Sequence, residues 1–257
     1  MIKTAIIGCG NIGSQISKFI DQEHKDTLCL DYLVDVDENN IFNIKNKLVN
    51  NKPESVNLDE AIEMSDLIIE CAHPVAAQYI LNYKNIDSGK KFIIASTGGA
   101  INFTTKIDNL KKSKIFFPSG AISGLDAIGA VRNDIEFLSI TTTKSPKGLD
   151  GAPYILKNNI QIDQNSIQEI FSGGLEEAIK GFPKNINVAA TLFLATRFCD
   201  IKIKIISDPE HKDNVHEIFA KGVFGEIKTI TKNKPSINPK TSQLAIYSIF
   251  DLINNLV

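Results

Sequence analysis

The chain has 257 residues, 43% of them hydrophobic and 23% charged, with a formal net charge of −2, the profile of a globular protein of one or two domains with a sizeable core. That balance offers no basic surplus for nucleic acid or an anionic membrane, so a small molecule is the expected partner. The chain enters a strand at residue 3 without a leader pattern, and no apolar run reaches the roughly 18 residues of a membrane helix, so a cytoplasmic location is expected. Its four cysteines, Cys9, Cys29, Cys71 and Cys199, form no C-x-x-C pair, which suggests neither a disulfide framework nor a zinc site, and no other metal-ligand spacing occurs.

The first predicted element is a strand over 3–7. It runs into Gly8-Cys9-Gly10-Asn11-Ile12-Gly13 and a helix over 12–21, then an apolar strand over 28–35 that ends on Asp35. A G-x-G-x-x-G between strand and helix, answered by an acid at the end of the next strand, is the fingerprint of a dinucleotide-binding turn. Gly8 makes the tight turn, Gly10 admits the pyrophosphate, Gly13 allows close helix packing, and Asp35 accepts from a ribose hydroxyl. Asp35 also sits poorly beside a 2′-phosphate, which favours NAD over NADP.

Helical patterns follow around 41–49 and 58–64, then a short strand over 67–70, a helix over 74–83, a strand over 92–95, a helical stretch ending near 110 and a strand over 115–117. This alternation predicts a parallel, doubly wound sheet with its ligand at the carboxyl ends of the strands. Cys71-Ala72-His73-Pro74, Ser96-Thr97-Gly98-Gly99-Ala100 and Pro118-Ser119-Gly120-Ala121 fall at those ends. Cys71, Ala72 and His73 are thereby candidate cofactor contacts.

Beyond about residue 120 the pattern becomes β-rich. Strands are expected over 135–144, 167–171, 201–208, 216–221 and 224–230, with helices near 175–181 and 188–198, as a mixed or antiparallel sheet. A proline-punctuated connector over 234–239 leads to a helix over 241–254 expected to pack back on the first domain. The expected organisation is a dinucleotide-binding domain over 1–118, an α+β substrate domain over 119–235, and a C-terminal helical segment over 236–257.

His24 and His211 lie in polar turns and read as surface. His73 precedes Pro74 at a strand end, where it could face a cofactor. Alternation puts His216 on the face of Ile218 and Ala220, opposite Glu217, Phe219 and Lys221. Such an imidazole can be a general base or simply a core histidine bonded to a carbonyl, and spacing does not choose between them. Asn187 is a candidate N-cap of the helix that follows it. Lys144, Lys147 and Arg197 are cations available to an acidic substrate.

Four blocks together resemble the L-aspartate dehydrogenase family: the glycine motif of residues 8–13, Phe117-Pro118-Ser119-Gly120-Ala121-Ile122-Ser123-Gly124-Leu125-Asp126, Phe182-Pro183-Lys184-Asn185-Ile186-Asn187-Val188-Ala189-Ala190-Thr191, and Asp208-Pro209 followed by Asn214-Val215-His216. Glu70-Cys71-Ala72-x-Pro74 and Asn238-Pro239-Lys240-Thr241-Ser242 fit the same pattern. The resemblance implies a Rossmann domain joined to an α+β domain like that of dihydrodipicolinate reductase. It also implies oxidation of L-aspartate to iminoaspartate with NAD or NADP, supplying nicotinamide-ring synthesis. By the same resemblance His216 matches an active-site histidine, and Ala121 and Asn187 match cofactor positions. Asn187, Thr191 and Lys144 are the candidate substrate contacts, and a homo-oligomer, by default a dimer, is expected. His73 departs from the small residue more usual there. The competing expectations are a related imine or dihydropyridine dicarboxylate reductase and a non-catalytic NAD(P)-binding redox sensor.

Overall fold

A computed structural model of the protein describes residues 1–183, 187–211, 213–234 and 242–256. The chain divides into two compact units, Met1–Pro118 with Ile246–Val257, and Ser119–Ala245.

The first unit alternates strand and helix: β1 (Ile2–Ile7), α1 (Asn11–Glu23), β2 (Leu28–Val34), α2 (Glu38–Lys45), β3 (Glu54–Ser55), α3 (Leu58–Met64), β4 (Leu67–Glu70), α4 (Pro74–Asn82), β5 (Lys91–Ile94), two short 3-10 turns, α5 (Thr104–Asp108) and β6 (Lys114–Phe116). Its six strands are parallel in the order β3-β2-β1-β4-β5-β6, the doubly wound arrangement whose order reverses between β1 and β4. Parallel strands covered on both faces need not alternate, and all four residues of Leu67-Ile68-Ile69-Glu70 are buried. On α1, Ile16 and Ile20 are wholly buried, each contributing roughly 1.5–3 kcal/mol of burial. The helical stretch expected to end near 110 is instead two 3-10 turns followed by the short α5. Gly99 presses on Pro74 and Ala77 of α4 too closely for a Cβ.

The second unit contains α6 (Leu125–Ala130), β7 (Ile135–Lys144), α7 (Pro146–Leu149), α8 (Pro153–Lys157), β8 (Gln168–Gly173), α9 (Leu175–Gly181), α10 (Asn187–Thr196), β9 (Lys202–Ser207), β10 (Asn214–Gly222) and β11 (Gly225–Asn233). Its sheet is mixed, ordered β11-β10-β7-β9-β8, with β7 and β9 parallel and the other neighbours antiparallel. One face is apolar along Leu138, Ile140, Ile203, Ile205, Ile218 and Ala220, all buried. The short helices α6, α7 and α8 went unpredicted, because four to six residues carry too little periodicity to register.

The last helix, α11, runs over Gln243–Leu256. Within the first unit its Ile249 and Ile253 join the core of Ile16, Ile20, Leu28 and Leu30, and Phe250 stacks on Phe19 at 4.1 Å. His24 belongs to this packing rather than to open surface: its ring meets Phe19 edge-on, and Nε2 lies 2.9 Å from Asn254 Oδ1. The expected connector over 234–239 falls outside the described residues except for Lys234.

Candidate active site

In the first unit the predicted dinucleotide residues converge where β1, β2 and β4 end. Gly8 has a φ of +96°, and a Cβ there would lie 2.6 Å from Ala72 Cα, so only glycine lets the two loops meet. A Cβ on Gly13 would collide with the Gly8 carbonyl oxygen, whereas one on Gly10 would meet nothing within 4 Å. The loop is thus closed on its protein side and open at the position expected to admit a pyrophosphate, with the amino end of the 13-residue α1 beside it. Asn11 and Ile12 begin α1, half-buried.

Asp35 follows β2 and grips the loop. Its Oδ2 accepts from the Cys9 amide at 2.6 Å, and its Oδ1 from the Asp37 amide at 2.8 Å. A carboxylate oxygen has two acceptor sites, so Asp35 keeps capacity for a ribose hydroxyl. No lysine or arginine occurs between Lys25 and Lys45, while Asp37 and Glu38 follow Asp35 one residue on, past Val36. These residues fit a dinucleotide.

The Cys71 thiol donates to the Gly8 carbonyl at 3.2 Å. Burial first, then the carboxylates of Glu70 and Asp35, hold it well above the ordinary thiol range. Burial and Asp35 likewise push the Cys9 thiol up to about 12. Both therefore pack as neutral thiols, unsuited to covalent chemistry. His73 is exposed and caps α4, its Nδ1 accepting from the Val75 amide at 3.3 Å.

In the second unit His216 lies on the buried face of β10, 4% exposed, opposite Thr142 of β7. Its Nδ1 is 3.0 Å from Thr142 Oγ1, which leaves Nε2 as the nitrogen for proton transfer. Lys144, two residues beyond Thr142, projects from the same face. Burial chiefly, and then the Lys144 charge, push His216 down to about 3. Burial pushes Lys144 down to about 8. His216 is already neutral when Lys144 titrates, so the repulsion weighs on the imidazole alone.

Further polar residues gather at this end of the sheet. Asp208, buried just past β9, donates its backbone N–H to the Lys144 carbonyl. Its carboxylate accepts from the Glu210 amide at 3.0 Å and lies 2.8 Å from His211 Nδ1, so His211, at the surface as expected, also has a carboxylate partner. Asn233, buried at the end of β11, donates to the Ala121 carbonyl at 2.7 Å. Through β11 the Ala121 loop is thus fastened beside the strand of His216.

Asn187 and Thr191 lie one turn apart on α10, the first exposed and the second buried. Asn187 is the first described residue of α10, and positions 184–186 lie outside the described residues. Arg197, at φ 58°, closes α10 by donating its N–H to the Phe193 carbonyl and its guanidinium to the Leu194 carbonyl, and Lys147 lies exposed on α7. Thr142 and Asn233 were not singled out from the sequence, and Asp208 and Glu70 entered only within the resemblance blocks, without a role. For Glu70 alone a signal existed, an acid closing an otherwise wholly apolar parallel strand.

Residues 126–256 match the family model described as aspartate dehydrogenase, C-terminal, and residues 8–114 match the homoserine dehydrogenase NAD binding domain. An L-aspartate dehydrogenase of Methanococcoides burtonii is 37% identical, covering 100% of this chain and 97% of that protein. One from Nitrosopumilus maritimus is 34% identical over 98% and 96%. The crystal structure of aspartate dehydrogenase from Thermotoga maritima superposes with a TM-score of 0.76 at 27% identity, covering 100% of this chain and 97% of that one. Myo-inositol 2-dehydrogenase from Lactobacillus plantarum, at 13% identity and a TM-score of 0.55 over 99% of this chain and 89% of that one, shares the fold.

Proposed function

Because the chain belongs to the aspartate dehydrogenase family, we propose that it catalyses the NAD(P)-dependent oxidation of L-aspartate to iminoaspartate, the imine used in nicotinamide-ring synthesis. The observation that carries the reading is one chain holding both a dinucleotide loop and, in its second unit, a desolvated His216–Lys144 pair on one sheet face. Nothing among the relatives favours a reductase or a redox sensor.

Gly8, Gly10, Asn11, Ile12, Gly13 and Asp35 would hold the adenosine and pyrophosphate portion of the cofactor, with Cys71, Ala72, His73, Ala121 and Asn187 serving the remainder. When bound, the cofactor supplies the hydride acceptor. The protein's own task is to hold a dicarboxylate and to take up a proton. Lys144, with Asn187 and Thr191, would receive substrate carboxylate. The negative charge of the substrate offsets that of Lys144 and so weakens its repulsion of His216, while the burial that chiefly lowers the imidazole remains. His216 is neutral in the free protein, and its Nε2 would accept a proton from the substrate amine, directly or through water.

Asp35 and the acidic run after it support NAD over NADP. We further place the protein in the cytoplasm as a homodimer: among the described residues no helix is long and apolar enough to cross a membrane, and a dimer is the commonest symmetric assembly. Light scattering on the purified chain tests the assembly. Initial rates of NAD and NADP reduction with L-aspartate, D-aspartate, L-glutamate and L-malate test the activity. Reduction confined to L-aspartate is expected, and cofactor binding without turnover on any of them would overturn the reading.

A further inference from the structure

Glu70 ends β4 with no exposed surface. Burying a carboxylate is costly unless its oxygens are fully engaged, and here four donors engage it. Oε1 accepts from the Ala72 amide at 2.9 Å, the His73 amide at 3.1 Å and the Ser96 hydroxyl at 2.8 Å, and Oε2 accepts from the Ser96 amide at 3.0 Å. Burial raises the Glu70 carboxyl, and the donors from Ser96, Ala72 and His73 work against that rise.

The donors come from two different loops, those leaving the carboxyl ends of β4 and β5, which pair with each other in register at Glu70 and Ile94. Ala72 is also the residue on which Gly8 closes, so the carboxylate fixes one wall of the crevice at the β1/β4 order reversal. In a doubly wound sheet the dinucleotide lies across that crevice. Asp35 and the glycine loop occupy its β2 and β1 side, which leaves the β4 and β5 loops for the nicotinamide half.

We propose that Glu70 is a positioning residue for the cofactor, its carboxylate setting the backbone of 71–73 and 95–96 so that the nicotinamide half meets a preformed wall. The inference rests on the reading of this unit as a dinucleotide site. All four partners donate, and the arrangement therefore requires an acceptor on both oxygens. A glutamine would turn a donor toward Ser96 or the 72–73 amides.

The test uses the full-length protein with Glu70→Gln and Ser96→Ala, the second removing a single hydroxyl and leaving the Ser96 amide in place. NADH affinity is measured by fluorescence titration, ADP-ribose affinity by competition, and kcat with L-aspartate. For Glu70→Gln, NADH is expected to weaken roughly ten-fold and kcat to fall by up to about 100-fold, as misplacement near 1 Å produces, while ADP-ribose affinity stays within about two-fold. Ser96→Ala is expected to show the same pattern in smaller measure. Equal weakening of NADH and ADP-ribose, or a lowered unfolding midpoint with the affinity ratio unchanged in both variants, would overturn the proposal. Failure of the wild-type protein to bind NADH would instead refute the dinucleotide reading itself.

Discussion

Replacing Lys144 with methionine should make the protein more stable and a worse enzyme. Burial lowers the Lys144 ammonium from 10.5 to about 8, so the folded state holds that proton less tightly than the unfolded chain. At roughly 1.4 kcal/mol per decade of proton affinity, the cation costs about 3 kcal/mol wherever both states carry it, that is, below pH 8. Between about pH 8 and 10.5 the unfolded chain binds the extra proton, so stability rises with pH and the penalty fades. Lys144→Met, close in length and without charge, should therefore gain on the order of 3 kcal/mol at pH 7 and progressively less toward pH 10. Urea unfolding at both pH values, read alongside hydrogen exchange of the β7 and β10 amides, measures this without assuming that the two units unfold together. In parallel the KM for L-aspartate should rise by a larger factor than kcat falls, since a carboxylate partner is lost. A variant no more stable than wild type at pH 7, or a stability difference that does not change with pH, would refute the account of Lys144 as a cation held at a cost for substrate.

His216→Asn should cut kcat by roughly 10²- to 10⁴-fold while NADH affinity stays unchanged; parallel loss of both in initial-rate and titration data would remove the imidazole from the proton step. With His216 held near 3 in the free protein, the kcat/KM profile should show no limb near pH 6.5 that this variant abolishes. Asp35→Ser should shift the kcat/KM ratio toward NADP, because the carboxylate that opposes a 2′-phosphate is gone. Asp21 is 1% exposed and accepts from the amides of Val49, Asn50 and Asn51; burial opposes its ionisation, but these donors prevail and hold its carboxyl below the usual range. Its stabilisation is therefore present above the ordinary carboxyl range and is lost as pH falls through the depressed folded value, so the stability gap between wild type and Asp21→Asn, about 2 kcal/mol at pH 7, should shrink steadily on chemical denaturation as the solution is acidified.

The first unit was legible because its instructions are local. Gly8, Gly10 and Gly13 fall within six residues of one another between a strand and a helix, so the motif is readable from spacing, although the Ala72 on which Gly8 closes lies far along the chain. The buried run of β4 and the Ile16–Ile20 stripe of α1 repeat at the periods their elements demand. Where the periodic signal is weak the reading was coarser: the helix expected to end near 110 is the short α5, preceded by two 3-10 turns. His24 and His211 stay partly exposed, as their polar turns predict, and only their partners are not legible there. Each stands in a polar pentapeptide, and each is claimed by a distant or turned-back partner, Asn254 for one and Asp208 for the other.

The candidate site follows the same division with larger consequences. Alternation placed His216 on a sheltered face correctly, since a two-residue period is all that question needs. What the imidazole can do there depends on Thr142, 74 positions away at Nδ1, and on the charge of Lys144. Those two residues stand on a strand whose register against β10 is set by the whole sheet rather than by its own residues. Glu70 illustrates the converse. Its anomaly is visible locally, an acid where the strand is otherwise apolar, but the meaning appears only when Ser96 arrives from the neighbouring strand's loop to occupy both oxygens. A buried charge in a sequence therefore marks a position that must have partners without saying which, and in this fold those partners are the loops a dinucleotide would rest upon.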